Sequence, residues 1–360
     1  MLASGCAKPT ADERAIDALA SALSAAVLAS DGDGYLAGVD PTDPYFAHES
    51  RYLANAIKKD AAPEFELKRR GRAYYDGDAL VAPVRAKWQP SEKGSPRSTA
   101  FDARFTRGPD GAWRYAGAQW QTTVSSDPRI RVYATPDLAV EAELVRSAYA
   151  RVVPPVEAFF GTAMPDLPPV KIYRDLAHLQ LSITPTYDPP LGGWYEPGES
   201  IKMLWRPRRN AESIERVIAH ELGHAMYEFI GAGADATPWW AHEGVAECSA
   251  SSVHPRLDRV NERLGKLKGE GKLVEFEFLA VFDDDTFMEQ RLAYPMGHSM
   301  VAYVLDTYGR ERGFAWLIDL DDVGVDAASR EHLGLAFADL DEAWRGTLQV
   351  PEPDADEPDA

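Results

Sequence analysis

The first third of the chain carries two patterns of apolar and polar residues, one with a helical period and one that alternates. The helical period predicts an alanine-rich amphipathic helix at 11–29 and two further short helices within 35–59. Alternating stretches bounded by turn residues predict four strands, at 64–70, 79–88, 99–107 and 113–120. The three hairpin signals between these strands predict a curved antiparallel sheet that packs against the helices.

Turn residues at 124–128 interrupt these patterns and give the best domain boundary. We therefore predict an α+β domain at 10–125 and a second domain at 126–349. Two domains are also the expected number for 360 residues, and an apolar fraction of 45% is enough to fill two cores.

The second domain is expected to contain a short strand at 170–173, a hairpin at 192–204 that turns at 196–199, and three helices. The first helix is expected to begin after Asn210 and to end at the glycines at 231 and 233. The second should be capped by Thr237, with Pro238 at its first position, and the third should begin at Pro295 and stop at Gly309.

The first of these helices carries His220-Glu221-Leu222-Gly223-His224. Residues four apart on a helix share a face, with Cβ atoms roughly 5–6 Å apart, so the imidazoles of His220 and His224 can converge on one metal ion. Glu221 lies next to the first ligand, where its carboxylate can take a proton from water. Single buried histidines are usually core residues, but two at this spacing around a glutamate favour a metallohydrolase site.

Catalytic zinc needs a third protein ligand and keeps its fourth position for water. Glu243, on the second predicted helix, is the best candidate, and residues 225–242, eighteen in all, separate it from His224. Two alternatives stay open. One is Asp235, with ten residues between it and His224, and the other is the thiolate of Cys248.

These motifs resemble those of the gluzincin metallopeptidases, in particular the aminopeptidase N type and the bacterial peptidase MA-like group. The shared features are His220-Glu-x-x-His224, the gap of eighteen residues, and Glu243-Gly-x-Ala after a Trp-rich turn. The resemblance covers roughly 130–349 and implies a zincin-like domain with a small sheet and a mainly helical active-site subdomain. It also implies that His220, His224 and Glu243 bind Zn²⁺ and that Glu221 is the catalytic base.

The same resemblance implies roles for residues around the metal. Glu247, one turn beyond Glu243, matches an acid that hydrogen-bonds a ligand histidine and fixes its tautomer, with an ordinary solvated acid as the alternative. Tyr294 matches the tyrosine that steadies the oxyanion, and His298 is a substitute for it. The alternative for both is a structural role in packing or in bonding the backbone.

The hairpin before the metal helix is similar to the edge strand of gluzincins, to which an extended peptide can add through backbone hydrogen bonds. Trp194 and Tyr195 in this hairpin are candidates for lining the substrate cleft, or else core aromatics. The Gly-x-Met-Glu-Asn signature of aminopeptidase N type enzymes is absent from the sequence, so no aminopeptidase specificity is predicted.

The element order at 10–125 is similar to the cone-shaped SnoaL-like or nuclear-transport-factor-like fold, without a diagnostic motif. No convergent set of titratable residues stands out there, so we interpret this domain as a binding or spacing module. The predicted fold class is α+β: N-terminal helices on a curved, cone-like antiparallel sheet, then the zincin-like domain.

The charge balance of the chain limits the classes of partner that we expect. A formal net charge of -19 disfavours nucleic acid, because phosphates would be repelled. No stretch is long and apolar enough to predict a transmembrane helix. The proline-rich acidic segment 350–360 is predicted to be disordered.

The two cysteines, Cys6 and Cys248, do not define a disulfide framework. Residues 2–7 resemble the end of a bacterial lipoprotein signal, in which the cysteine is lipidated after cleavage. Residues 1–9 would then be the remnant of such a signal, and Cys6 the site of a lipid anchor in the bacterial cell envelope. If the likeness is accidental, a cytoplasmic location is expected.

These observations together predict a zinc-dependent metallopeptidase acting on a peptide or protein substrate. Two alternatives stay open: a catalytically inactive, peptidase-like binding protein, and a zinc hydrolase that acts on a non-peptide bond.

Overall fold

The computed structural model describes residues 8–60, 62–233, 237–283 and 286–351. Contacts divide the chain into two compact units, Met1–Arg146 with Pro169–Arg208, and Ser147–Pro168 with Arg209–Ala360. The predicted domain limits at 125 and 126 stay a prediction. Three predictions fall on residues outside those described: the lipid anchor at Cys6, the alternative ligand Asp235, and disorder over 352–360 of the segment 350–360.

The first unit begins with three helices. Helix α1 (Ala11–Leu28) opens with a capping box, in which Thr10 and Glu13 exchange side-chain and backbone hydrogen bonds. Helices α2 (Gly32–Ala37) and α3 (Ala47–Lys59) follow. The N-terminal helix and the two short ones are therefore where the sequence pattern predicts them, except that α2 begins before residue 35.

An antiparallel sheet follows the helices and curls into a half-barrel. Its strands are β1 (Glu64–Arg69), β2 (Tyr74–Asp76), β3 (Ala79–Gln89), β4 (Arg97–Arg107) and β5 (Trp113–Ala118). They pair in the order β1-β3-β4-β5, with β2 also on β3. Ile16 and Leu23 of α1 share a buried cluster with Val84, Trp88 and Phe105 of the sheet. The predicted mixed α+β fold with a curved antiparallel sheet is confirmed.

A second, mixed sheet also belongs to the first unit. Its strands are β6 (Gln121–Val124), β7 (Arg131–Ala134), β8 (Val170–Tyr173), β9 (Gly193–Glu196) and β10 (Ser200–Leu204). The order is β6-β7-β8-β10-β9, with β8 parallel to both β7 and β10. Strand β9 lies at one edge and pairs antiparallel with β10, as the predicted hairpin requires. Helix α5 (Leu176–Ile183) lies between β8 and β9 in the chain.

Two lysines of this sheet are buried among carboxylates. Lys171 Nζ lies 2.8 Å from Glu49 Oε2 and also contacts Glu199, and its side chain is only 1% exposed. Lys202 Nζ lies 3.4 Å from Glu196 and 3.2 Å from Glu199. A buried charge is tolerated only when it is paired, so each of these groups depends on its partners.

The second unit is helical in the residues described. Helix α4 (Ala139–Phe160) begins in the first unit and ends in the second, with Pro154 and Pro155 inside it. The others are α6 (Ala211–Phe229), α7 (Trp239–Val253), α8 (Leu257–Gly269), α9 (Phe287–Gln290), α10 (Ala293–Tyr308), α11 (Arg310–Val323), α12 (Val325–Ala328) and α13 (Phe337–Thr347). None of the helices described here combines the length and hydropathy needed to cross a bilayer.

Two helix starts differ from the prediction. Pro238 rather than Thr237 occupies the N-cap of α7, and the Thr237 hydroxyl donates to the carbonyl of Gly233 instead of capping the helix. Helix α10 begins at Ala293, so Tyr294 lies in its first turn rather than ahead of it. Asn210 caps α6 as predicted, because its side chain accepts from the N–H of Ser213.

Glycines let α6, α7 and α10 approach closely. A Cβ added at Gly223 of α6 would lie 2.7 Å from Ser249 of α7, and one at Gly244 of α7 would lie 2.5 Å from the backbone of Gly297 in α10. A Cβ at Gly297 would lie 2.0 Å from the carbonyl oxygen of Trp240. The helix that carries Glu243 is therefore held against both neighbours at the level of the backbone.

This packing predicts that Gly297→Ala destabilises the protein. The new methyl group would meet a carbonyl oxygen that belongs to backbone and cannot rotate away, so α7 and α10 must separate, at a cost of about 1–3 kcal/mol. The midpoint of thermal unfolding should fall accordingly. Gly346→Ala in α13 is the control, because its Cβ would have no described atom within 4 Å. Equal midpoints for the two variants would contradict the close-packing argument.

Candidate metal site

Three side chains that the sequence marks as ligands lie together in the second unit. His220 and His224 project from α6, and Glu243 projects from α7. Glu243 Oε2 lies 3.1 Å from His220 Nε2 and 3.7 Å from His224 Nε2. One ligand atom from each residue lies within 4.8 Å of the others. The two nitrogens and one oxygen thus surround a space that a single cation can share.

The two oxygens of the Glu243 carboxylate differ in their partners, and Oε2 is the one that faces the two imidazole nitrogens. Its Oε1 accepts a hydrogen bond from the indole N–H of Trp239, at 3.1 Å. Its Oε2 is buried and accepts no well-aligned hydrogen bond from any residue that the structure describes. A buried carboxylate oxygen without a donor is costly, and a metal ion would satisfy it. The donor set therefore fits a divalent cation.

The other ring nitrogen of His220, Nδ1, lies 3.2 Å from Oε1 of Glu247. The second oxygen of Glu247 accepts from Arg216 Nη2, also at 3.2 Å. Burial lowers the pKa of His220, but the carboxylates of Glu243 and Glu247 outweigh it and hold this pKa well above its usual value. The negative charge that favours a proton here would equally favour a metal ion.

His224 has a different environment. Its ring stacks on that of His242, with centroids 4.3 Å apart and planes 14° apart. Burial, followed by the nearby rings of His242 and His220, lowers the pKa of His224 well below its ordinary value. The ring is therefore neutral near pH 7, which is the form that binds a metal. Its Nδ1 is buried and has no hydrogen-bond partner within the described ranges.

Glu221 and Tyr294 adjoin the ligands. Glu221 is buried on α6 directly after His220 and is close enough to affect the charge of that ring. The Tyr294 ring lies over His220, with centroids 6.2 Å apart, and meets Trp239 edge-on at 5.7 Å. The phenol thus stands beside the ligand cluster.

His298 and Cys248 lie behind this cluster. His298 is 1% exposed, and burial lowers its pKa to about 4 despite the opposing charge of Glu247. The Cys248 thiol donates to the carbonyl of His298 at 3.5 Å, and burial raises its pKa above the usual value. A neutral thiol engaged in this way does not supply a thiolate, so Cys248 is a poor ligand.

Trp194 and Tyr195 lie on β9 in the first unit, whereas the ligand cluster lies in the second. Both are half-buried, and Trp194 donates its indole N–H to Glu196 at 3.0 Å and meets Tyr187 edge-on. These contacts of Trp194 are those of a packed aromatic, and the role of both residues in a substrate cleft stays a prediction.

Three residues of the site were not predicted from the sequence: Arg216, Trp239 and His242. Arg216 precedes His220 by four residues. His242 and Trp239 precede Glu243 by one and four residues. Helical spacing could have placed Arg216 and Trp239 on the ligand faces. The stack of His242 on His224 depends on the packing of α6 against α7, which spacing does not give.

Another group with metal-binding residue types is Asp319, Glu331 and His332. His332 Nε2 is already 2.5 Å from Asp319 Oδ2, and Glu331 is exposed. This group is satisfied without an ion, unlike Glu243.

No protein-family model matches the chain, and a search of curated proteins gives no match. Among solved structures, it is similar to the crystal structure of Legionella pneumophila aminopeptidase A in complex with aspartic acid, with 13% identity and a TM-score of 0.39 over 77% of this chain and 32% of that one. It is also similar to native yeast LTA4 hydrolase, with 12% identity and a TM-score of 0.41 over 82% of this chain and 46% of that one. The chain thus spans less than half the length of either structure, and the assignment of a function rests on the geometry of the site itself.

Proposed function

We propose that this protein is a zinc-dependent hydrolase of peptide bonds, with His220, His224 and Glu243 as the ligands. The observation that carries the proposal is the convergence of two imidazole nitrogens with a buried carboxylate oxygen that lacks an aligned donor. Three protein ligands of this kind are typical of catalytic zinc, which keeps one position free, whereas structural zinc usually has four.

The donor types also favour zinc over other cations. Calcium and magnesium prefer sets made of oxygen ligands alone, whereas imidazole nitrogen with one carboxylate suits zinc. When bound, zinc supplies Lewis acidity toward a carbonyl group and makes water acidic near neutral pH.

Glu221 is the proposed general base. It follows His220 directly on α6 and is buried, so its carboxylate is held near the ligand cluster and away from bulk water. It would take the proton of the attacking water and pass it to the leaving amine. Tyr294, whose ring lies over His220, would donate its phenolic hydrogen to the negative charge that develops on the carbonyl oxygen.

The test of the ligand set is the zinc content of Glu243→Ala. The variant removes the only oxygen donor of the proposed set, so zinc should be lost or bound far more weakly, whereas the wild-type protein should carry one equivalent. Elemental analysis after dialysis measures this content. Asp235→Ala is the control, since it removes the alternative ligand. Full zinc content in Glu243→Ala together with loss of zinc in Asp235→Ala would identify Asp235, and not Glu243, as the third ligand.

The test of the reaction is hydrolysis of a peptide mixture in which half the peptides have blocked amino termini. Cleavage that stops with a chelator and returns with zinc would support a metallopeptidase, and cleavage of blocked peptides at internal bonds would mark an endopeptidase. A zinc-loaded protein that leaves every peptide intact would favour a binding protein or a hydrolase of another bond.

A further inference from the structure

Arg216 is connected to the proposed metal ligands through a carboxylate. It lies on α6 four residues before His220, and its Nη2 donates to Glu247 Oε2 at 3.2 Å. The other oxygen of Glu247 faces His220 Nδ1 at 3.2 Å, and His220 Nε2 faces Glu243. These contacts form an unbroken line from a guanidinium group to the place where a metal would bind.

Glu247 needs a partner on the side away from His220. Its side chain is only 19% exposed, so little water reaches the carboxylate. An anion in this setting keeps its place only while a cation and a donor hold it.

The arrangement also determines which nitrogen of His220 is free. A carboxylate at Nδ1 favours the tautomer with its proton on Nδ1, which leaves the lone pair of Nε2 for a cation bound between His220 and Glu243. His224 has no equivalent arrangement, because its Nδ1 has no hydrogen-bond partner in the part of the chain described. Any effect of Arg216 on the metal is therefore expected through His220 alone.

We propose that Arg216 is a positioning residue for the metal, which fixes the Glu247 carboxylate so that His220 presents Nε2 to the cation. This inference rests on the proposed metal site and adds to it a residue that does not touch the metal. Its guanidinium is a planar donor group that matches a carboxylate better than the ammonium of lysine does.

The experiment measures zinc affinity by competition with a chelator, so it does not depend on activity. Arg216→Met, which keeps an unbranched apolar stem but removes the guanidinium, should weaken zinc binding about tenfold, near the lower end of what such supporting contacts contribute. Arg216→Lys should recover part of that loss. The absorption bands of the cobalt-substituted protein should shift in Arg216→Met, because the orientation of His220 changes.

Arg256→Met is the matched control. Arg256, at the start of α8, pairs with Glu212 of α6 at 2.6 Å, but this pair is 40% and 45% exposed and includes no proposed ligand. It should leave zinc affinity and the cobalt spectrum unchanged. A general loss of interhelical ion pairing would affect both arginine variants, whereas positioning affects only Arg216→Met.

A double-mutant cycle guards against a variant that does not fold. Glu247→Gln replaces the carboxylate through which Arg216 acts by a neutral amide. Adding Arg216→Met to it should therefore cause little further loss of zinc affinity. The double variant also avoids an unpaired buried anion. Fully additive losses of zinc affinity in the double variant, or wild-type affinity in Arg216→Met, would overturn the inference while leaving zinc binding intact.

Other outcomes bear on the proposed function. A wild-type protein that binds no zinc would overturn the proposed function and this inference together. Zinc binding without peptide hydrolysis would count against the function alone.

Discussion

Glu221→Gln should lower kcat/KM for peptide hydrolysis by about 10²–10⁴-fold, the usual contribution of a general base. Glutamine has the same shape but cannot accept the proton of water at neutral pH. Glu221 is buried, and an isosteric amide leaves the surrounding packing of α6 in place. Zinc affinity should therefore stay within about twofold of the wild type, so the loss would appear in turnover and not in metal content.

Glu228→Gln is the matched control for this prediction. Glu228 belongs to the same helix and is exposed, so the same chemical change at that residue should leave both zinc and turnover unaltered. Turnover near the wild-type level in zinc-loaded Glu221→Gln would show that another group takes the proton. Loss of zinc in that variant would show instead that Glu221 holds the metal in place.

The ligand cluster is the part of the site that local sequence rules predict best. His220 and His224 are four residues apart on one helix, so their mutual position follows from helical geometry alone. Glu243 is different, because it lies on α7, and its approach depends on the contact of Gly223 with Ser249. The sequence favoured Glu243 because of its predicted helix and the family resemblance, whereas the spacing alone left Asp235 open.

Residues that act across helices escaped the sequence analysis. Arg216 shares the face of α6 that carries His220, but its importance comes from Glu247, which lies 31 residues away in sequence. The stack of His242 on His224 has the same origin. Both contacts depend on how α6 and α7 pack, which neither helix specifies alone.

The fold shows the same limits. The curved sheet, its turns and the hairpin at β9 and β10 follow from alternation and turn residues. Helix α4 runs through Pro154 and Pro155, which local rules treat as helix-breaking, so tertiary packing overrides propensity there. Lys171 and Lys202 alternate with apolar residues as solvent-facing lysines would, yet Lys171 is buried against Glu49 from α3 and Lys202 against Glu196 from the neighbouring strand β9.

Lys171→Met should destabilise the protein by about 3–5 kcal/mol, the usual result of removing one member of a buried ion pair. The side chain is 1% exposed, and its loss leaves Glu49 without its cation and Glu199 with only Lys202. For a unit of this size, the midpoint of thermal unfolding should fall by roughly 6–20 °C. Adding Glu49→Gln to Lys171→Met should recover part of the loss, because it removes the uncompensated charge.

Lys58→Met supplies the comparison that separates burial from ion pairing. Lys58 and Asp33 are 2.7 Å apart, about as close as Lys171 and Glu49, but their side chains are 43% and 84% exposed, so this pair should contribute about 1 kcal/mol or less.

Acid should weaken the buried cluster of Lys171, Lys202 and Glu199. Lys171 and Lys202 outweigh burial and lower the pKa of Glu199 to about 2. A carboxylate with a depressed folded pKa contributes stability above its unfolded pKa, and this contribution is lost as pH falls from about 4.5 toward 2. The difference in midpoint between wild type and Lys171→Met should therefore shrink over that range, and a difference that stayed constant would mean that the lysine acts through packing and not through its charge.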